Sequence, residues 1–526
     1  MSFAVIGSGP AGVAAAHALA DAGHRVCVVD AGDTIEPERM ATFDELADLE
    51  PESWPADLAQ SARGSFPVTA RRVPLKPAYG SLFPYALDDM DLPVIRDGVE
   101  TLPSLAVGGL SNAWGASVLP VRERDIDDWP IALEDLVPHY EAVLRFMPLA
   151  AESDELAEIL PLYTSKACRL RRTPQMDMVL SHLRAHSSPL RAAGFSFGGS
   201  RLALNASDDS PNRCRYGGMC LYGCPYHAIY NAAYTLEQLI HERGVVYRGG
   251  LYVDRLVSAD GGVTIQAHER RRPASRVELT ASRVFVACGA VSSTRLMLAS
   301  MGREPQTLRL RDSQYFLIPM ANARSVPVRA ATQGNTLAQV FLELEDDRVS
   351  RHSAHIQIYG YNDLMLAPIA SKLPLGLERL ERVLRPLVGR VIVMQGYLHS
   401  GDSPGMALEL KADGVRLLGD DPAEGIARAR RLVRRLAANA RHLGMAPIPG
   451  LSQFGRPGKG NHVGGSLPMR RRPSELETDT MGRVPGWERV HVVDSSVLPS
   501  VPATTVTLSV MANAHRIAAA AALSVD

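Results

Sequence analysis

Three cysteines fall within eleven residues, Cys214, Cys220 and Cys224, spaced C-x5-C-x3-C among glycines and followed by Pro225. Thiolates bind iron–sulfur clusters and zinc, and a glycine-rich loop can wrap a bound group. Three readings stay open: an iron–sulfur cluster, a zinc site completed by His227 through Cys224-x2-His227, or plain thiols, two of which could form a disulfide. The other cysteines, Cys27, Cys168 and Cys288, are scattered and read as packing. A second constellation opens the chain. In Gly7-Ser8-Gly9-Pro10-Ala11-Gly12, Gly7 permits a tight turn, Gly9 lets a pyrophosphate approach the backbone and Gly12 lets a helix pack on a strand.

Those glycines need particular elements around them. Residues 3–7 read as a buried strand and 11–22 as an alanine-rich helix that Gly23-His24 ends. A second strand, 25–29, runs into Asp30, which is placed to hydrogen-bond a ribose hydroxyl. The helix N-terminus offers unpaired N–H groups to phosphate. Together these predict a dinucleotide-binding βαβ unit, without separating FAD from NAD.

The chain has 526 residues, 46% hydrophobic and 21% charged, ordinary for a globular protein of more than one domain. A net charge of −1 gives no bulk electrostatic case for nucleic acid or anionic membrane. No apolar run reaches the roughly 18–20 residues of a membrane span. The apolar run Phe3–Ile6 leads straight into the glycine turn with neither a basic n-region nor a cleavage site, so the expected location is cytoplasmic.

Five further segments follow in order: Gly108-Gly109-Leu110-Ser111-Asn112-Ala113-Trp114-Gly115; Asp127-Asp128-Trp129-Pro130; Val284–Cys288 running into Gly289-Ala290; His462-Val463-Gly464-Gly465-Ser466-Leu467-Pro468-Met469; and Val492-Val493-Asp494 through Pro499. In this order they resemble the glucose–methanol–choline (GMC) oxidoreductases, most weakly between about residues 300 and 445. The resemblance implies that Gly108, Gly109, Ser111, Asn112 and Trp114 line the flavin ring of a bound FAD. It further implies that Val253 meets the adenine, that Gly289 lies by the adenosine, and that Asp494 lies near the phosphate and ribityl chain. Thr507 joins these cofactor contacts. His462 matches the family's catalytic histidine, and a histidine near neutral pKa suits removal of a hydroxyl proton as hydride leaves the carbon. Where the family usually carries a second histidine or an asparagine, this chain has Thr505, which can orient a hydroxyl but is no base. Asn461 is a helper on proximity alone. The cysteine spacing resembles GMC-type subunits of bacterial glucose and fructose dehydrogenases, which implies a [3Fe–4S] cluster on Cys214, Cys220 and Cys224. His227 departs from the small residue usual there.

The expected fold is α/β: a Rossmann-like FAD-binding domain assembled from 1–130, 200–300 and 446–526, with the cysteine loop 212–231 beside the flavin, and an α+β substrate domain from 131–199 and 301–445 with an antiparallel sheet. Along 353–359, His355, Gln357 and Tyr359 share a face, as do Gln395, Tyr397 and His399 along 391–399. Such faces fit either a polyhydroxylated substrate or a sheet side in water. Residues 364–390 and 423–443 read as amphipathic helices, the second with a solvated arginine face. The predicted activity is oxidation of an alcohol group of a sugar or aminosugar, such as an aminoglycoside intermediate. Electrons would leave through the cluster to an unidentified acceptor. The alternatives are an oxygen-using oxidase without a cluster, a non-redox lyase, and an electron-transfer subunit, the last disfavoured by His462 in its motif. A polycationic substrate would call for carboxylates in the pocket, for which Glu343 and Asp363 are candidates.

Overall fold

Strand β1, Phe3–Ile6, is buried at every position, as a strand covered on both faces requires. The chain turns at Gly7 and enters helix α1, Pro10–Asp21, with proline in its first turn and alanines packed inward. Strand β2, Val26–Val29, returns parallel to β1. The computed structural model that shows this describes residues 3–64, 76–86, 89–302, 307–326, 334–360 and 389–524. Three more strands complete a parallel sheet in the order 490–492, 283–286, β1, β2, 246–248. Helix α1 packs on the alanine-rich helix Thr507–Leu523, so the core of this unit joins the two ends of the described chain. The observed bounds fall within a residue or two of those expected for the βαβ unit.

A three-stranded antiparallel sheet, Leu251–Ala259, Gly262–Glu269 and Arg272–Ala281, lies beside this unit and carries Val253. A second large sheet is antiparallel and runs 445–447, 315–322, 391–397, 350–359, 340–346, 195–199, with 453–454 also paired to 315–322. Its alternation sends Ile356, Ile358 and Met394 into an apolar core with Val179, Leu183, Leu432 and Leu436 of the covering helices Pro174–Ala185 and Ala423–Ala438. The opposite face bears Gln357 and Gln395 directly across from each other. One further sheet joins 463–464, 307–312, 406–411, 414–419 and 94–97.

Two expectations need amendment. The arginine face of 423–443 is not simply solvated: Arg428 pairs with Asp402 at 2.7 Å and Arg435 with Asp346 at 2.5 Å, and the helix stops at Ala438. His399 does not share the face of Gln395 and Tyr397, because the strand ends at Tyr397. Its ring stacks on His352 instead, centroids 3.6 Å apart. The helix expected over 364–390 lies almost wholly outside the described residues, and Asp363 lies outside them. Among the described residues no helix is long and apolar enough to cross a membrane.

Candidate active site

The nucleotide cleft opens where the parallel strands end. Gly7 and Gly9 after β1, Asp30 after β2, Ala287–Gly289 after strand 283–286 and Asp494 after strand 490–492 line it, together with Gly109, Val253, Asn461 and Thr507. Ligands of open α/β sheets bind at these carboxyl ends. The cleft encloses about 1340 Å³ of empty space, part of it open to solvent. Helix α1 and the helix starting at Thr507 both present their N-termini to it, which favours phosphate. A methyl on Gly12 would overlap the Gly7 carbonyl oxygen, whereas one on Gly9 would meet no protein atom within 4 Å. Gly12 therefore closes the helix against the strand, and Gly9 keeps the cleft floor bare.

The two acids of the cleft are held by backbone and hydroxyl donors. Asp30 accepts from the Ser8 and Gly32 amides, both at 2.7 Å. Asp494 accepts from the Gly289 amide at 2.8 Å, from Ser293, and from both the amide and hydroxyl of Ser496. Burial pushes both carboxyls above the usual range, and those donors oppose the shift. Cys288, expected to be packing, lines the cleft.

A second cavity with about 1330 Å³ of empty space shares Pro10, Leu110, Asn461 and Thr507 with the cleft. His462, Asn461 and Thr505 all line it. His462 Nδ1, Asn461 Oδ1 and Thr505 Oγ1 are buried and have no hydrogen-bond partner. Each of these three cavity-lining residues thus carries a buried polar atom without a partner, which in a native structure calls for an explanation such as a catalytic role or an ordered water. The His462 ring stacks on Tyr397, centroids 4.4 Å apart. Burial pushes its pKa down to about 3, with His355 adding to the shift, so the imidazole is neutral and keeps its proton-accepting lone pair. Gln357, Tyr359, Gln395 and Tyr397 face the same space, so the sheet side left open between substrate and water is enclosed. His355 lies beneath, its Nδ1 at 2.6 Å from Glu343, both fully buried. Glu343 is thus no pocket carboxylate.

The loop 108–115 separates into two roles. Gly109 lines the cleft, and Ser111 and Trp114 line the second cavity. Gly108 and Asn112 line neither. Gly108 donates its amide to Ser8, and Asn112 donates to the Val107 and Gly109 carbonyls while accepting from Asn231. Lys76, Tyr85, Tyr315 and Lys459 also line the cavity. No periodicity or motif marks them in the sequence.

The six cysteines are free, which removes the disulfide reading. The three loop thiols influence one another: burial raises Cys214 with Cys220 and Cys224 contributing, and burial raises Cys224 to about 11 with Cys220 contributing. The loop meets the second cavity through Leu221. Among the described residues, however, the only trio of ligand atoms within 4.8 Å of one another is His352, His399 and Asp402. The thiols and His227 do not gather as ligands of one zinc would, with sulfurs about 3.8 Å apart around a tetrahedral ion. His227 stacks on Tyr234 instead, centroids 4.7 Å apart.

A parallel sheet with a phosphate-ready cleft, opening into a buried cavity with an unprotonated histidine, defines a nucleotide-cofactor oxidoreductase. Comparison with known proteins names the class more closely. GMC oxidoreductase family models match residues 106–313 and 419–514, together more than half of the chain, and a model of an NAD(P)-binding Rossmann-like domain matches 5–35. The chain belongs to the GMC oxidoreductase family and is an FAD-dependent oxidoreductase acting on CH–OH groups. The fold is similar to a crystal structure of pyridoxine 4-oxidase from Mesorbium loti, at TM-score 0.60 and 16% identity over 98% of each chain. No curated protein matches.

Proposed function

We propose that the enzyme oxidises an alcohol group of a hydroxylated ring compound of sugar size in the second cavity, with His462 as the base. The observation that carries this reading is the set of orphaned atoms on His462, Asn461 and Thr505 beside the nucleotide cleft. FAD, when bound, supplies the hydride acceptor. Gly7, Gly9, Asp30, Gly109, Val253, Gly289, Asp494 and Thr507 would hold it in the cleft, with Ser111 and Trp114 at the ring and Gly12, Gly108 and Asn112 shaping the turns behind. Neutral His462 accepts the hydroxyl proton at Nε2, since Nδ1 is closed off from the cavity. The Thr505 hydroxyl donates to the oxygen of that hydroxyl and orients it, Asn461 Oδ1 accepts from a second donor of the substrate, and Gln357, Gln395 and Tyr397 hold the other polar groups. The division of the chain into a flavin domain and a substrate domain belongs to this proposal, as does a cytoplasmic location. The cavity has no carboxylate among its described lining residues, so an aminoglycoside-like polycation has less support than a substrate without multiple positive charges.

We propose that Cys214, Cys220 and Cys224 would hold a [3Fe–4S] cluster, which would supply a one-electron path to an external acceptor. The spacing of the cysteines and the approach of their loop to the cavity through Leu221 support it, although the thiols do not gather into a ligand set here. Each cysteine of a cluster binds a different iron, so the wider spacing that disfavours zinc is no obstacle. The competing reading is an oxygen-using oxidase, favoured by the fold likeness to an oxidase. The test is the visible spectrum of protein purified without oxygen, with iron and acid-labile sulfide analysis. A brown shoulder under the flavin bands with about three irons per chain supports the cluster. Flavin without iron after anaerobic reconstitution turns the reading to the oxidase, and absence of flavin overturns it altogether.

A further inference from the structure

Two cations and no carboxylate stand among the described residues that line the substrate cavity. One cation is answered, since Lys459 Nζ lies 3.7 Å from Glu100. Lys76 is not: no described carboxylate pairs with it, and its one hydrogen-bond acceptor is the backbone carbonyl of Trp114. An ammonium has three donors, so two remain for whatever fills the cavity. Lys76 is half-buried on the cavity wall, and the charged neighbour acting on it is the thiol of Cys220 in the cysteine loop. Pinning the Trp114 carbonyl uses one donor, so the two donors left over are what the cavity offers a ligand.

We propose that Lys76 anchors an anionic oxyacid group of the substrate, so that the alcohol oxidised here carries a carboxylate or a phosphate. The inference rests on the reading of this cavity as the place of alcohol oxidation. The walls suit such a ligand in other respects. Tyr397 keeps its hydroxyl hydrogen and Gln357 and Gln395 each keep one amide hydrogen for a ligand oxygen, donors that bring no negative charge, whereas the hydroxyls of Tyr85, Tyr315 and Tyr359 are given to the Lys76 carbonyl, Gln395 and Gln357. Recognition by one lysine and neutral donors selects an anion over its uncharged or amine-bearing counterpart, because the amine would meet a like charge with no acid to offset it.

The experiment uses the flavin-loaded enzyme at constant ionic strength. Inorganic phosphate and acetate are titrated separately, reading the flavin absorption bands and the melting temperature. Wild type is expected to give a saturable change with at least one anion, and the stronger of the two identifies the oxyacid. Lys76→Gln keeps a donor for the Trp114 carbonyl but loses the charge, and is expected to weaken anion binding about tenfold to a hundredfold. Lys76→Arg is expected to retain it. No saturable change with either anion, or a Gln variant that binds as wild type does, overturns the proposal. So does a Gln variant that loses iron while binding anions unchanged, since that assigns Lys76 to the cysteine loop. Flavin bleaching by alcohols separates the two levels of inference. Preference for an uncharged or amino alcohol over its carboxylate and phosphate counterparts overturns the anchor and leaves alcohol oxidation standing. Failure of every such alcohol to bleach the flavin, with anion binding intact, overturns the oxidation reading and leaves Lys76 as an anion site.

Discussion

Gly9 and Gly12 lie three residues apart in one glycine turn, yet substitution of each is expected to fail in a different way. Gly9 has φ −65° and ψ 178°, open to any residue, and an added methyl would meet no protein atom within 4 Å. Gly9→Ala should therefore leave the stability of the apoprotein within about 0.5 kcal/mol of wild type. That methyl points into the space a pyrophosphate needs. An amide-to-phosphate hydrogen bond spans about 2.9 Å, whereas a carbon needs about 3.5 Å. Losing one charge-assisted bond of about 1.5–3 kcal/mol weakens FAD binding roughly 10- to 150-fold. A methyl on Gly12 would overlap the Gly7 carbonyl oxygen and stand 3.0 Å from its carbon. Gly12→Ala must push α1 off the sheet, at or above about 3 kcal/mol, the upper end for overpacking. Urea unfolding of the apoproteins and quenching of flavin fluorescence on titration with FAD measure the two effects. If Gly9→Ala unfolds as easily as Gly12→Ala, or binds FAD as wild type does, the assignment of the cleft floor to the pyrophosphate is wrong.

Other perturbations probe the site and its support. His462→Gln should lower kcat/KM about 100- to 10,000-fold with flavin content unchanged; a loss below tenfold would remove His462 as the base. Because burial holds His462 near pKa 3, it should give wild type no acidic limb in kcat/KM between about pH 5 and 9; a limb in that range that His462→Gln abolishes would contradict this. Buried His491 is pushed down to about 4, so between that value and the unfolded 6.5 the unfolded chain binds the extra proton. Its contribution to stability is complete above pH 6.5 and shrinks as pH falls, by about 1.4 kcal/mol at pH 5.5. Urea midpoints should show His491→Gln losing that much less than wild type from pH 7 to 5.5, and equal losses would refute it. Arg201 is buried with Asp154 at 3.6 Å as its ion partner and Glu343 acting from farther off, and among the described residues nothing hydrogen-bonds its guanidinium. Asp154→Asn should destabilise by about 3–5 kcal/mol, and Arg201→Met in the same chain should restore part of it. A neutral single variant would mean that the charge of Asp154 is not what holds Arg201.

The nucleotide cleft was legible because its signals are local: strand, turn, helix, strand and acid fall within thirty residues, and each has its own sequence cue. The substrate cavity was not, because its walls come from Lys76 and Tyr85, the 110–117 loop, Leu221, Tyr315, the strands holding Gln357 and Gln395, and 459–462 with Thr505. Period-two alternation put Gln357 and Tyr359 on one face but could not say whether that face met water or a polyhydroxylated substrate. Glu343 shows the limit of reading charge: it stands opposite His355 across two strands, so an acid proposed for the pocket serves the histidine beneath it. His399 was misplaced because alternation was carried past the strand end. Cysteine spacing pointed to a shared loop, but sulfur positions depend on turns such as the one that gives His227 φ 53°.

The order of the parallel sheet also bears on how the chain is made. Strand β1 has the segment 283–286 on one side, and 490–492 lies beyond it. Helix α1 packs on a helix that starts at Thr507. At roughly 5–20 residues per second, ribosomal synthesis takes about 25–100 s to pass from the first strand to the last. During that time α1, with Val13, Ala14 and Ala16 wholly buried in the finished fold, can meet the helix Ala232–Arg243 but lacks the larger cover of the helix that starts at Thr507. The cleft takes Asp494 and Thr507 from this late segment, so until they emerge it is a site without one of its two acids and one of its two helix N-termini.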